Sequence, residues 1–148
     1  MTNNSLFFLC SLIEFIGRQQ KLTRHDIVSA LGYDTIKHIY EFADVLHCEP
    51  IAKVADEYIE SCKLKTGNFD NITACKYTVP SYWDIGKVYA RLIQDITGNI
   101  SENDKIIKNL NDVYGSWISD SISNFNSDFF YQPHDYIREC YFEGKILS

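Results

Sequence analysis

Apolar residues recur at three- and four-residue spacing between residues 102 and 122. This spacing places their side chains on one face of an α-helix. The stripe comprises Ile106, Ile107, Leu110, Val113, Tyr114, Trp117, Ile118 and Ile122. It predicts one long amphipathic helix over 102–122, which Ser101 and Asp104 cap at its start. Because the apolar face is wide, most of it must pack against the rest of the chain, and the surplus predicts a homodimer contact with a second copy.

The same periodicity predicts helices along most of the chain. Besides 102–122, the predicted helices span residues 5–19, 23–31, 34–46, 50–62, 81–97 and 133–143. Two of them begin with a capping-box pattern, Thr23 with Asp26 and Ser81 with Asp84. Pro50 suits the first turn of another, because the N–H that proline lacks has no helical partner there. So many amphipathic helices predict an all-α protein.

Residues 65–80 interrupt the helical pattern. They are rich in Gly, Asn and Asp, which favour turns, and they contain one short segment at 75–79 that can be extended but has no pairing partner. We interpret this stretch as an ordered connector between an N-terminal half, 1–64, and a C-terminal half, 81–148. Two separate domains of this size would be marginally stable. The sequence therefore predicts a single domain over 1–148, a compact bundle of six or seven helices.

The charge balance restricts the choice of partner. The chain has 20 Asp and Glu against 14 Lys and Arg, which gives a formal net charge of −6. Nucleic acids and anionic membranes require clustered cations on the protein, so the composition argues against both. A partner protein with a basic surface is the better electrostatic match.

Two further features indicate the cytoplasm. The apolar stretch at 6–16 contains Glu14, is too short to span a membrane and lacks the basic segment of a signal peptide. The five cysteines are odd in number and form no C-x-x-C pair, which is typical of a reducing compartment. We therefore expect a cytoplasmic protein without a membrane segment.

The sequence contains no recognisable catalytic, metal-binding or cofactor-binding motif. His47 and Cys48 are adjacent, but paired zinc ligands at short spacing are missing, and Glu49 opposes formation of a Cys48 thiolate. Asp56 and Glu60 share one helical face, for which a solvated surface is the default interpretation. We predict no cofactor and no metal. An enzyme whose Tyr, His and Asp side chains converge from several helices is kept as a second alternative.

Aromatic residues are numerous, with ten Tyr and nine Phe. Many lie on the core stripes, but others stand at helix starts or in loops, where they either anchor the loop or form an interface. The stretch at 77–84 combines aromatic and acidic groups beside a helix start. We predict that Tyr77, Tyr82, Trp83 and Asp84 bind a partner, as an aromatic patch with an acidic rim.

The region from Thr23 to His47 offers an alternative function. Two predicted helices separated by a short Gly-containing turn are typical of a helix-turn-helix, which reads DNA with its second helix. Lys37 and His38 suit that role, whereas three carboxylates on the same segment, Asp34, Glu41 and Asp44, oppose it. A nucleic-acid-binding regulator is therefore the first alternative, and an ordinary helical hairpin fits the same pattern.

Three segments resemble an uncharacterised family of short helical proteins from anaerobic Firmicutes. They are FFLCSLIEFIGRQQKLTRHDIVSAL at 7–31, IYEFADVLH at 39–47 and IAKVADEYIE at 51–60. Some members are encoded beside ADP-ribosyltransferase-like toxins, so the resemblance implies an antitoxin or immunity role and no catalytic residues. It covers about two-fifths of the chain, and the region from Trp83 onward has no counterpart. The leading hypothesis is a non-enzymatic bacterial protein–protein interaction module, an antitoxin, immunity or anti-defence factor.

Overall fold

A computed structural model of the chain describes residues 3–99 and 102–148. Within these ranges the chain forms nine α-helices, one short 3₁₀ helix and no β-strand, which confirms the predicted all-α class. The helices are α1 (Asn4–Gln20), α2 (Arg24–Leu31), α3 (Tyr33–Glu41), α4 (Ala43–Leu46), α5 (Ile51–Ser61), α6 (Tyr82–Thr97), α7 (Asn103–Tyr114), α8 (Trp117–Ser123) and α9 (His134–Glu143), with the 3₁₀ helix at Phe129–Tyr131. The extended segment predicted at 75–79 does not form a strand.

In the described ranges nine α-helices replace the predicted six or seven, because two predicted helices are interrupted. The helix predicted over 34–46 breaks at Phe42, which leaves helical geometry at φ −107° and ψ 14°. The long helix predicted over 102–122 ends at Gly115, and α8 begins after Ser116, whose hydroxyl accepts the Ile118 N–H at 3.3 Å. The cap predicted at Ser101 lies outside the described residues.

Local capping signals place two helix starts where the sequence predicts them, and a third start has a cap that was not predicted. At α6 both halves of the capping box form: Ser81 accepts the Asp84 N–H at 3.0 Å, and Asp84 accepts the Ser81 N–H at 3.1 Å. Thr23 accepts the Asp26 N–H at 3.2 Å at the start of α2. At the start of α1, the Asn3 Oδ1 accepts the Leu6 N–H at 3.0 Å. These bonds satisfy amides that have no partner within the helix.

The first helix is the centre of the bundle. It packs against α2, α3 and α5 on its sides and most extensively against α6. The α1–α6 contact is close enough that a Cβ at Gly86 would meet the Ser11 Cα at 2.7 Å and the Ser11 N at 2.8 Å. One hydrophobic core therefore contains side chains from both predicted halves.

The apolar stripe of α7 and α8 is buried in this same core. The fully buried members are Ile107, Leu110, Val113, Tyr114, Ile118 and Ile122; Ile106 is only 6% exposed, and Trp117 is half-buried against the core. The break at Gly115 changes the direction of the chain, so that the apolar faces of both α7 and α8 lie against the core. The surplus apolar face on which the homodimer prediction rested is therefore used within one copy, and self-association stays a prediction.

The connector at 65–80 is irregular but tied to the helices. The Gly67 N–H donates at 2.8 Å to the carbonyl of Gln20, the last residue of α1. The Phe69 N–H donates at 2.9 Å to the carbonyl of Lys21, the C-cap of α1. The Asn126 side chain bonds the backbone of Ala74 and Lys76 from the other side. None of the helices in the described ranges is both long and apolar enough to cross a membrane.

Candidate interaction surface

A buried ionic network lies under the connector. Glu14 on α1 and Arg24 on α2 are each 1% exposed. The Arg24 Nε and Nη2 donate to the two Glu14 carboxylate oxygens, both at 2.9 Å. The Arg18 Nε donates to the Glu14 Oε2 at 2.8 Å. Gly17 leaves room for this arrangement, because a Cβ there would lie 2.4 Å from the Arg24 Cδ.

The network is ionised at neutral pH. Burial acts to raise the pKa of Glu14, but the Arg24 and Arg18 guanidinium groups outweigh it, so this pKa lies below its ordinary value. Burial likewise acts to lower the pKa of Arg24, and the Glu14 carboxylate raises it above its ordinary value. A buried charge pair of this kind is retained only where its hydrogen bonds are satisfied.

The same guanidinium groups hold the connector and the C-terminal half together. Arg24 donates to the Leu22 carbonyl at 2.8 Å and to the Asn71 Oδ1 at 3.3 Å, and Asn71 donates to the Ser123 carbonyl at 2.9 Å. Arg18 donates to the Pro80 carbonyl at 2.8 Å. A substrate reaches Glu14 and Arg24 only if the core opens, so the network is a structural device, and sequence reasoning missed it. The sequence signal that could have indicated this network is Glu14, a carboxylate within an apolar helix.

A second buried polar group lies between α6, α7 and α8. The Tyr89 and Tyr114 rings stack with centroids 4.2 Å apart, and the Tyr89 hydroxyl is 2.8 Å from the Ser119 Oγ. Burial raises the pKa of Tyr89 and of Tyr114. It also raises the pKa of the neighbouring Cys10 to about 12, so this thiol stays protonated and is not a nucleophile. These groups support packing rather than catalysis, and the second alternative, an enzyme, gains no support from them.

The four predicted partner-binding residues do not meet in one pocket. Tyr77 is 70% exposed and faces residues 125–131. Tyr82 packs edge-to-face on Phe15 at 5.1 Å. Trp83, 38% exposed, lies 5.5 Å from the Phe7 ring and lines a different groove together with α4. Asp84 caps α6 and lines a third groove.

Two of these grooves adjoin each other. The first, of about 470 Å³, runs between α6 and the start of α9. The second, of about 610 Å³, runs between Tyr77 and residues 125–131. Both are lined by Phe130 and Tyr131 of the 3₁₀ helix, and we call them together the paired grooves. Phe130 is buried, whereas Tyr131 is 80% exposed, the highest value among the large apolar side chains of the described residues.

The paired grooves were only partly predictable. The sequence marks 77–84 as a contact surface, and Tyr77 and Asp84 lie on the grooves. The opposite wall at 130–137 is distant in sequence, and only the packing of α9 against α6 brings it there. A run of aromatic residues at 129–131 just before Pro133 was the available signal.

The geometry around α3 does not favour DNA binding. A single residue, Gly32, joins α2 to α3, whereas a helix-turn-helix has a turn of roughly three or four residues. Lys37 pairs with Asp104 at 2.9 Å, and the Tyr33 hydroxyl donates to the same carboxylate at 2.7 Å. The cation that would contact DNA is thus engaged with α7. The nucleic-acid alternative stays untested and has no support from these contacts.

The remaining candidate ligands are dispersed. The His47 Nδ1 lies 3.0 Å from the Ala43 carbonyl, and the neighbouring Cys48 is exposed on the surface. All five cysteines are free thiols. Within residues 3–99 and 102–148, no three His, Cys, Asp or Glu side chains come together as a metal site would require.

Comparison with family models, with curated proteins and with solved structures finds no match for this chain. The part of the surface that binds a partner is therefore inferred from the geometry of the surface itself.

Proposed function

We propose that this protein is a protein-interaction module that binds its partner through the paired grooves. The observation that carries the proposal is the combination of two adjoining concave surfaces with two strongly exposed tyrosines, Tyr77 at 70% and Tyr131 at 80%. Tyrosine concentrates binding energy at interfaces, because a large rigid ring is buried there at small entropic cost.

The buried network supports this surface. The Arg18 guanidinium lies 5.3 Å from the centroid of the Phe125 ring, and Phe125 packs edge-to-face on Phe130 at 5.6 Å. Arg18 also holds the Pro80 carbonyl at the edge of the first groove. These contacts position Phe130 and Pro80 at the grooves, and preorganisation of this kind lowers the entropic cost of association.

The biological setting extends the proposal. The resemblance of residues 7–60 to proteins encoded beside ADP-ribosyltransferase-like toxins suggests an antitoxin, immunity or anti-defence factor of the bacterial cytoplasm. A toxin or a defence protein would then be the partner. The net charge of −6 favours a partner whose overall charge is basic, because opposite net charges accelerate encounter.

The test is affinity capture of the tagged chain from lysate of its own host, with and without nuclease. Three baits are compared: the wild type, Tyr77→Ser/Tyr131→Ser, and the control Val45→Ser/Phe142→Ser. The control removes two apolar side chains that are 63% and 58% exposed and lie outside the paired grooves. We expect one stoichiometric protein with the wild type and the control, unaffected by nuclease and lost with the tyrosine variant.

Equal recovery with all three baits would place the interface elsewhere on the molecule. Recovery of nucleic acid alone, abolished by nuclease, would favour the regulator instead. Circular dichroism of each bait shows that a lost partner reflects the surface and not unfolding.

A further inference from the structure

The first of the paired grooves has a charge opposite to that of the protein. Its wall on α6 contains Lys87 and Arg91, both exposed and one helical turn apart. Three other grooves in the described part of the chain have Asp but no Lys or Arg in their lining. One contains Asp44, another Asp70 and Asp120, and the second of the paired grooves Asp128. On a chain of net charge −6, the cations in this groove are a local exception.

Neither cation has a carboxylate partner at ion-pair distance in the described part of the chain. Lys37, Lys53 and Lys108 elsewhere on the surface each pair with a carboxylate, whereas Lys65 and Lys105, like the two groove cations, pair with none of the described residues. One carboxylate, Asp84, lines the same groove and accepts the Ser81 N–H, so two cations face one carboxylate in the lining. The Asp95 Oδ2 lies 2.8 Å from the His134 Nδ1. Like charges at i and i+4 repel each other on a helix, and a carboxylate placed between them relieves that repulsion.

The floor beneath the two cations is apolar. Val88 and Leu92 of α6, Phe130 of the 3₁₀ helix and Ile137 of α9 line it. A ligand that fills this groove therefore needs an apolar or aromatic side chain for the floor and carboxylates for the wall on α6. An amphipathic acidic peptide segment has both.

We propose that the first groove binds an acidic segment of the partner protein, with carboxylates on Lys87 and Arg91 and an apolar side chain on the floor. This inference rests on the proposed function and specifies the chemistry of the bound segment. It is compatible with a partner that is basic overall, because net charge governs encounter at long range whereas the groove selects the segment in contact. Single-stranded nucleic acid also combines negative charge with apolar rings, but the net charge of −6 opposes a polyanion.

A peptide selection tests the proposal without knowledge of the partner. A random peptide library displayed on phage is selected against the immobilised full chain. Recovered peptides are synthesised with a fluorescein label, and their affinity is measured by anisotropy for three proteins. These are the wild type, Lys87→Glu/Arg91→Glu and the control Lys65→Glu/Lys105→Glu, which changes the net charge equally at exposed positions outside the groove.

We expect the recovered peptides to be enriched in Asp and Glu beside Leu, Phe or Trp. Charge reversal in the groove should weaken their binding at least about tenfold, and the control variant should change it less than about threefold. Circular dichroism confirms that all three proteins are folded.

Enrichment of Lys and Arg in the peptides, or equal loss of affinity with both charge variants, would overturn the proposal. Peptides that lack carboxylates, and that lose affinity for Tyr77→Ser/Tyr131→Ser measured in the same assay, would also overturn it, while the proposed function would stand. Failure to recover any peptide, together with a failed host capture, would remove both. Binding of a fluorescent oligothymidylate that Lys87→Glu/Arg91→Glu abolishes would assign the groove to nucleic acid.

Discussion

Replacement of Glu14 by Gln should destabilise the protein more than any surface substitution. The Glu14 carboxylate accepts three hydrogen bonds, two from Arg24 and one from Arg18, at 2.8–2.9 Å. Glutamine keeps one acceptor oxygen, which at the Oε2 position retains one bond from Arg24 and one from Arg18. The bond from the Arg24 Nε is lost, and the amide N–H₂ group then faces that guanidinium, at a cost of about 1.5–3 kcal/mol for the bond alone.

An independent comparison gives a similar magnitude. Removal of one member of a buried ion pair costs about 3–5 kcal/mol, because the other charge stays buried without its partner. Arg18 is 16% exposed at its side chain and can turn toward water, so the lower end of this range applies. We expect Glu14→Gln to lower the free energy of unfolding by about 3 kcal/mol, a large part of the total for a domain of this size.

Urea unfolding at pH 7, followed by circular dichroism, measures this change. Glu57→Gln on the exposed face of α5 is the matched control, and we expect a change below about 0.5 kcal/mol. The double variant Glu14→Gln/Arg24→Gln should be less destabilised than the sum of the two single variants, because neither charge is then left alone. A loss below about 1 kcal/mol for Glu14→Gln, or additive effects in the double variant, would refute the account of this network.

Three further predictions concern the same core. The pKa of Glu14 is lowered in the folded state, so its stabilising contribution is present above the ordinary glutamate pKa of about 4.3 and is lost as the pH falls below that value. Between pH 3 and 7, the urea midpoint should therefore fall more steeply at the acid end for the wild type than for Glu14→Gln. Parallel profiles for the two proteins would contradict this. Gly86→Ala should lower the free energy of unfolding by about 1–3 kcal/mol despite the better helix propensity of alanine, because the new Cβ would lie 2.7 Å from the Ser11 Cα. A raised melting temperature would show that α1 and α6 can separate without cost. Ser119→Ala should cost about 1–3 kcal/mol, because it removes the closest hydrogen-bond partner of the buried Tyr89 hydroxyl, and Ser121→Ala on the same helix is the control.

Local signals in the sequence were sufficient to place most of the helices. Ser81 with Asp84 and Thr23 with Asp26 mark starts that the structure has, since a cap is a contact between residues three apart. The stripe at 106–122 predicted burial correctly but concealed the break at Gly115. Both α7 and α8 present their apolar residues to one core, so the periodicity continues across an interruption that only tertiary packing determines.

The candidate surface was less accessible to sequence reasoning. Tyr82 and Trp83 pack partly on Phe15 and Phe7, because the start of α6 lies against α1, and this contact joins residues more than sixty positions apart. The groove beside Lys87 exists only because α9 returns to α6. Long-range contacts of this kind leave no periodic pattern, so the sequence indicated the aromatic surplus but not the pocket it forms.

Photo-crosslinking in the native host determines whether a partner binds at the paired grooves. p-Benzoylphenylalanine is incorporated at Tyr131 in one strain and at Phe142 in another, because both positions are aromatic and exposed but only the first lines the paired grooves. Irradiation at Tyr131 should give one discrete crosslinked protein, which the Tyr77→Ser substitution weakens, and irradiation at Phe142 should not. Crosslinking of that protein only from Phe142, or from neither position in cells that contain the complex, would show that the paired grooves are not the interface.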